Sequence, residues 1–415
     1  MSVNPPLSLF AYLLSAGLLA IPAIAANDTI TVGGNGRNCN LDPQCINRLH
    51  PAIPMTATAK PGQTIVLHTR NAGDFDLDPN SLYEDPRRAT GNTGHALTGP
   101  VRIEGAKAGD TLAVTLLDVK PGPWGKTWVG AGGFVADRYP AGFSATWKLE
   151  EDYAVSEQIP GVRIPNRAFP GVITTLPSQT MVTTALAREA AINDLGARVF
   201  LPEPINATPD DLCGPQGSLK NECLRTIPPR EHGGNMDIRY MRPGVTIHLP
   251  CSVDGCGLAI GDVHYAQGDG EVSGTAIEMD STVTLTTRIL KTPPANGVSF
   301  EGPAASLAIP SGRYFATTGL PFKRAGDVPP DMAYLNSDRV AALESLPDDI
   351  ALAARNALLA MIDHLVDKYG YTADQAYIIC SVAVDLRIGQ LVDAPNAGAV
   401  AILPLDIFVN EPADD

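Results

Sequence analysis

Pro243-Gly244-Val245-Thr246-Ile247-His248-Leu249 is a turn followed by a strand alternating at period two. The same arrangement stands at Pro61-Gly62-Gln63-Thr64-Ile65-Val66-Leu67 and at Ala108-Gly109-Asp110-Thr111-Leu112-Ala113-Val114. In each, a glycine takes the turn and a threonine two residues later opens the strand. The recurrence predicts an internally duplicated, β-rich architecture of sandwich or barrel-like sheets. Helix is predicted mainly near the C-terminus. Pro347–Lys368 carries Ile350, Ala353, Ala354, Ala357, Leu358, Met361 and Leu365 at helical spacing, and Gly370 stops it. Thr372-Ala373-Asp374-Gln375 reads as a helix start, with a short buried helix over Ala376–Val384. The class is therefore α+β, with the C-terminal helices covering one sheet face. The polar stretches Asn71–Arg88, Pro121–Pro140 and Pro202–Glu231 read as long surface loops, which in compact enzymes often border sites.

The chain has 415 residues, 44% hydrophobic and 18% charged, with a formal net charge of −15. That length supports one large core or two medium ones. The charge excludes a nucleic-acid partner, which would call for a basic stripe. Leu7–Ala20 is an apolar run followed by Ile21-Pro22-Ala23-Ile24-Ala25, with small residues where a signal peptidase cuts. Residues 1–25 are thus expected to be a signal peptide and 26–415 a single catalytic domain, secreted or periplasmic, off the membrane after cleavage and homo-oligomeric. Export permits disulfides. Of the seven cysteines, Cys39 with Cys45 and Cys213 with Cys223 flank turn-rich loops and are expected to pair. Cys251 and Cys256 flank a tight turn where pairing is open, and Cys380, in an apolar run, reads as a buried small hydrophobe.

Chemistry concentrates between Glu231 and Glu271. Glu231-His232-Gly233-Gly234-Asn235-Met236-Asp237 precedes the third Gly-Thr strand, and Gly261-Asp262-Val263-His264-Tyr265-Ala266-Gln267-Gly268-Asp269-Gly270-Glu271 follows it. Asp262 and His264 are two apart, so on a strand they share a face, the spacing that a strand-borne His/carboxylate metal site needs. The glycines let backbone approach a ligand and free NH groups face an oxyanion. The plain alternative is a solvated Gly-rich hairpin.

Gly233-Gly234-Asn235-Met236-Asp237, Leu249-Pro250, Gly261-Asp262-Val263-His264, Ala266–Glu271 and Gly274-Thr275-Ala276-Ile277-Glu278-Met279 resemble successive signature blocks of the acetamidase/formamidase family. Upstream, Gly94-His95-Ala96-Leu97-Thr98-Gly99-Pro100 resembles a further block. Downstream, Tyr314–Gly319 and Ser381-Val382-Ala383-Val384-Asp385-Leu386-Arg387-Ile388 with Val392–Asn396 do the same. The resemblance runs in order from about residue 60 to residue 408. It implies a β-rich duplicated fold and hydrolysis of short amides to carboxylate and ammonia. Where the family has a His-Pro-Phe-like block, this chain has Asn166-Arg167-Ala168-Phe169-Pro170-Gly171-Val172-Ile173. The insert with Cys213 and Cys223 and the export segment also depart from it. These differences bear on the substrate, because a secreted enzyme can meet something larger than formamide.

Amide hydrolysis requires an activated nucleophile, a stabilised oxyanion and a protonated leaving nitrogen. The sequence has no Gly-x-Ser-x-Gly elbow, and Cys380 is the weaker candidate nucleophile because apolar surroundings raise a thiol pKa. A divalent ion, zinc being the candidate, is therefore assigned to His95, Asp262 and His264 with Asp237 nearby. Glu271 is assigned as general base and Asn235 as hydrogen-bond partner of the amide. Asp237 also reads as capping a turn and His95 as a core histidine; Glu278 reads equally as catalytic or as pairing with Arg288 or Lys291, and His232 as solvated. His50, His68, His248 and His364 read as structural. Two other functions stand beside linear-amide hydrolysis. One is a secreted binding protein without turnover and the other a hydrolase of cyclic amides.

Overall fold

Thr64, Thr111 and Thr246, each two residues past a turn glycine, all begin strands. Gly62, Gly109 and Gly244 have φ of 85°, 93° and 90°, a conformation that costs a residue with a Cβ about 1–2 kcal/mol. One turn geometry is thus used three times, and the three strands join one sheet. The computed structural model describes residues 29–83, 93–129, 133–139, 142–194, 196, 199–292, 298–324, 326–391 and 397–410. The expected signal segment 1–25 and Val392–Asn396 lie outside these residues.

The strands that frame the site are, in chain order, β1 (Thr64–Thr69), β2 (Leu97–Ile103), β3 (Thr111–Trp128), β4 (Phe169–Thr174), β5 (Gly233–Asn235), β6 (Thr246–Pro250), β7 (Cys256–His264) and β8 (Glu278–Leu290). β8 lies antiparallel between β1 and β3. Its first residues meet the end of β7, with His264 opposite Glu278. β7 in turn lies antiparallel between β2 and β4, and β5 adds to β4. All nine residues of β7 are buried. A strand covered on both faces reads as a continuous apolar run, so the polar Asp262 and His264 within it stand out. The sheet does not close into a barrel.

A second layer follows. β9 (Tyr314–Gly319), β10 (Asp385–Gln390) and β11 (Gly398–Pro404) form a small sheet in the order β9-β11-β10. Two C-terminal helices occupy Ile350–Tyr369 and Ala373–Ala383. Asp349 caps the first by accepting from Leu352 N at 2.9 Å, and Gly370 ends it in the left-handed conformation. Ala353, Ala357, Leu358, Met361 and Leu365 are buried as the spacing requires. Thr372 and Gln375 make a reciprocal capping box on the second helix. Ala376 through Ala383 are all buried, so that helix runs through the core between the two layers. Among the described residues no helix is long and apolar enough to cross a membrane.

Three expectations are corrected. Gln179–Asp194 is a sixteen-residue helix outside the C-terminal region. Its buried apolar stripe is essentially Val182 and Ala185, and an Ala- and Thr-rich segment with so narrow a stripe leaves no periodic signal. Pro121–Trp128 is not loop but the second half of β3, paired with β8 and with Ser144–Leu149. Its prolines and glycines sit where the ladder shifts register. His232 is not solvated: it is 1% exposed, with Nδ1 2.8 Å from Thr174 Oγ1.

Burial, reinforced by the Arg230 charge, lowers the His232 pKa to about 4. The native state therefore holds the ring neutral while the unfolded chain protonates it near 6.5. The stability this contributes is complete above pH 6.5 and is lost as pH falls toward 4, to a total of ~3 kcal/mol. Thermal melts between pH 7 and 4 should show that loss in the wild type, and His232→Asn should flatten part of it. An unchanged slope would mean that His232 does not carry the linkage.

Cys39–Cys45, Cys213–Cys223 and Cys251–Cys256 are disulfides and Cys380 is buried and free. The third bridges the connection between β6 and β7, from Cys251 just after β6 to Cys256, the first residue of the strand that carries Asp262.

Candidate active site

The register of β7 against β8 and β4 places His264 opposite both Glu278 and Phe169. His264 is fully buried. Its Nε2 lies 3.3 Å from Glu278 Oε2, 3.4 Å from Asp262 Oδ1 and 3.9 Å from Glu271 Oε1. Its Nδ1 is 2.8 Å from Gln267 Oε1, while Gln267 Nε2 donates to the Asp237 carbonyl at 2.8 Å. Because the Gln267 amide donates on the Asp237 side, its oxygen faces the ring. Nδ1 of His264 must then carry the proton and Nε2 is the nitrogen presented to the acids.

Asp237, Asp262 and Glu271 have φ of 50°, 53° and 42°. Left-handed backbone at residues other than glycine costs of order 1–3 kcal/mol each and persists only where the surroundings enforce it. Three such residues converging on one histidine are strain collected at a functional site. Gly171 explains how the strands come so close. A Cβ there would stand 2.6 Å from Asp237 Oδ1, 2.7 Å from His264 Cε1 and 2.8 Å from the Asp262 carbonyl. The Phe169 ring meets the His264 ring edge-on at 5.1 Å. The stretch Asn166–Ile173, which departs from the family pattern, thus supplies a wall of the site.

Four carboxyls around one imidazole repel each other in a medium that disfavours charge. Burial, with the Asp262 charge adding, raises Asp237 to about 6. Burial and the Asp237 charge raise Glu271 well above its usual value. Burial raises Glu278 to about 7, against the pull of His264. Burial also opposes ionisation of Asp262, but the charges of His95 and His264 outweigh it and hold Asp262 low. The Glu278 and Asp262 charges overcome burial and raise His264 well above 6.5. Asp262 is the fixed anion, while Asp237 and Glu278 are poised to exchange protons near neutrality.

The donor set fits a divalent cation. The ligand atoms of Asp237, Asp262 and His264 lie within 4.8 Å of one another, as do those of His264, Glu271 and Glu278. Asp237 Oδ1, Asp262 Oδ1, His264 Nε2, Glu278 Oε2, Asn235 Oδ1 and His95 Nδ1 are all buried without a hydrogen-bond partner, a cost natural proteins rarely carry without compensation. Mixed nitrogen and oxygen donors suit zinc.

The sequence-assigned residues are therefore brought together, with adjustments. His95 belongs to neither ligand set but is near enough for its charge to act on Asp262 and Asp237; its backbone NH donates to Thr226 Oγ1 at 2.8 Å. Asn235 ends β5 beside Val172. Glu278 does not pair with Arg288 or Lys291; it is 2% exposed against His264, and Lys291 bonds Asp110 at 2.7 Å. Gln267 is a site residue the residue-by-residue reading left out, and that reading leaves Glu278 evenly between catalysis and pairing, without an assigned role. Both lay inside quoted signature blocks, and the His264–Glu278 pairing follows only from the strand register. Cys380 is fully buried and burial pushes its thiol far up, so it is no nucleophile.

Known proteins are similar to this chain over most of its length. Residues 35–410 match the acetamidase/formamidase family. A formamidase of Methylophilus methylotrophus is 31% identical over 390 residues, covering 88% of this chain and 90% of its own. An acetamidase of Mycolicibacterium smegmatis is 31% identical over 361 residues, covering 80% and 84%. The solved γ-lactamase from Delftia acidovorans superposes with a TM-score of 0.79 at 29% identity, over 93% of this chain and 95% of that one. The buried acid cluster lies within the matched span, and the chain belongs to the acetamidase/formamidase family.

Proposed function

We propose that the protein hydrolyses short linear amides to carboxylate and ammonia, with Glu271 as proton carrier and a divalent cation, zinc being the candidate, held at Asp262 and His264 beside Asp237 and His95. The observation that carries it is the buried cluster of unpartnered donors around His264, and the formamidase and acetamidase relatives support the reaction class. When bound, the cation supplies Lewis-acid polarisation of the amide carbonyl.

The residues of the chain do the rest. Glu271, whose side chain is 18% exposed where those of Asp262, His264 and Glu278 are 0–4%, stands at the solvent side of the cluster. Its carboxylate takes a proton from the attacking water and delivers it to the departing nitrogen, and the raised pKa makes the ionised form a stronger base. Asn235 Oδ1, buried and unpartnered, accepts from the substrate amide. Gln267 fixes the His264 ring by its Nδ1 proton. Phe169 and the tight packing at Gly171 limit the space for the acyl group. The three disulfides support export to an oxidising compartment, in line with residues 1–25 as a signal peptide.

Ammonia release from formamide, acetamide and larger linear amides, with ring opening of a γ-lactam assayed alongside, tests the reading. Release from a small linear amide is expected. The second reading is a cyclic-amide hydrolase, favoured by the likeness to the Delftia γ-lactamase; ring opening without ammonia release would select it. Amide-dependent thermal stabilisation with no turnover would mean a binding protein.

A further inference from the structure

The loop Gln267–Thr275, which carries Glu271, is held by a part of the chain that the proposed reaction does not use. Ser381, in the last turn of the helix Ala373–Ala383, is fully buried and ties this loop at three points. Its carbonyl accepts from Gly268 N at 2.8 Å, its Oγ accepts from Ser273 N at 3.0 Å, and the same Oγ donates to the Thr275 carbonyl at 2.7 Å. Asp385, 1% exposed at the start of β10, accepts from Asp269 N at 3.3 Å, and the following Leu386 N donates to the Asp269 carbonyl at 3.0 Å. Asp385 also pairs with Arg239, whose Nη1 donates to the Gln267 carbonyl at 3.3 Å. Tyr377 donates its hydroxyl to the Val272 carbonyl. A Cβ on Gly268 would stand 2.0 Å from the Val384 carbonyl, so the two segments are in backbone contact.

Within the loop, Glu271 N bonds Gly268 O at 3.1 Å and its carbonyl accepts from Gly274 N at 2.8 Å. These local turns do not explain why a glutamate should adopt φ of 42°. Strained backbone relaxes unless neighbours over-determine it, and here the C-terminal segment does so on both sides of Glu271. We propose that Ser381 and Asp385 are positioning residues that clamp the loop and so hold the Glu271 carboxyl at the reacting atoms. The inference rests on the reading of Glu271 as proton carrier. It gives the C-terminal signature Ser381–Arg387, which touches neither cation ligand nor substrate, a role in the reaction.

Displacing a proton-transfer group by about 1 Å can cost of order 10²-fold in rate. Ser381→Ala in the full-length enzyme should lower kcat ~10–100-fold and leave KM within about twofold, while circular dichroism stays native. Asp385→Asn, which keeps shape and acceptor oxygen but loses charge, should act in the same direction and serves if the first variant does not fold. The deciding measurement is the double-mutant cycle with Glu271→Gln. In that background Ser381→Ala should change kcat by less than about twofold, because the group it positions is gone. Full kcat in both single variants, or losses that multiply in the cycle, would overturn the clamp and leave the Glu271 reading in place. A Glu271→Gln enzyme of normal kcat would overturn that reading itself, and the clamp with it.

Discussion

Glu271→Gln is expected to lower kcat for the preferred amide by about 10³-fold, inside the 10²–10⁴ range of general acid–base catalysis, with KM within about twofold. Glutamine keeps the length and planarity of the side chain and cannot carry a proton. Stability argues that the loss will be chemical and not structural. Burial and the Asp237 charge disfavour the ionised Glu271 carboxylate, so a neutral amide at that position relieves repulsion. A melting temperature equal to or above wild type is therefore expected alongside the loss of rate. An unchanged kcat would remove Glu271 from the chemistry. A protein that melts much earlier would make it a structural residue.

The sequence showed those parts of the fold where a local rule acts alone. The three Gly-Thr turns, the Gly370 end of one C-terminal helix and the Thr372 start of the next each depend on a few adjacent residues, and each is found where the pattern puts it. Gln179–Asp194 was hidden because alanine favours helix without marking a face. Asp262 and His264 were legible because two charged groups interrupt an otherwise buried strand. Glu278 was legible only as an even choice between catalysis and pairing, because a glutamate opening a strand can pair with any cation along it. Only the register that sets it opposite His264 decides the partner. Gln267 and Ser381 illustrate the same limit. Their roles come from hydrogen bonds to segments distant in the chain, Gln267 Nε2 to Asp237 and Ser381 Oγ to Ser273 and Thr275. Spacing carries no trace of such contacts, although both residues fall in blocks shared with the family.

Asp262→Asn should have the largest effect on cation binding. Asp262 is the one acid of the cluster that neighbouring positive charges hold low, and its replacement removes a full charge and an unpartnered donor without changing volume. Loss of a hydrogen-bonding partner beyond a ligand typically costs 10–100-fold in metal affinity, so loss of a ligand itself should cost at least ~100-fold. Zinc at ~1,000 times its dissociation constant should stabilise the wild type by about 4 kcal/mol. At the same concentration the variant should gain only about 1.4 kcal/mol. The fold itself should survive. With the Asp262 charge gone, Glu278 loses the repulsion that helps hold it at about 7 and can ionise against His264. The measurements are bound zinc by elemental analysis, thermal shift with and without zinc, and ammonia release after chelation and re-addition. Wild-type protein that neither binds zinc nor melts higher with it would remove the cation from this site. The Asp262–His264–Glu278 cluster would then serve as a buried ion-pair network positioning Glu271. A variant that binds zinc as tightly as wild type would move the ligands to His264, Glu271 and Glu278, the other set the fold brings together.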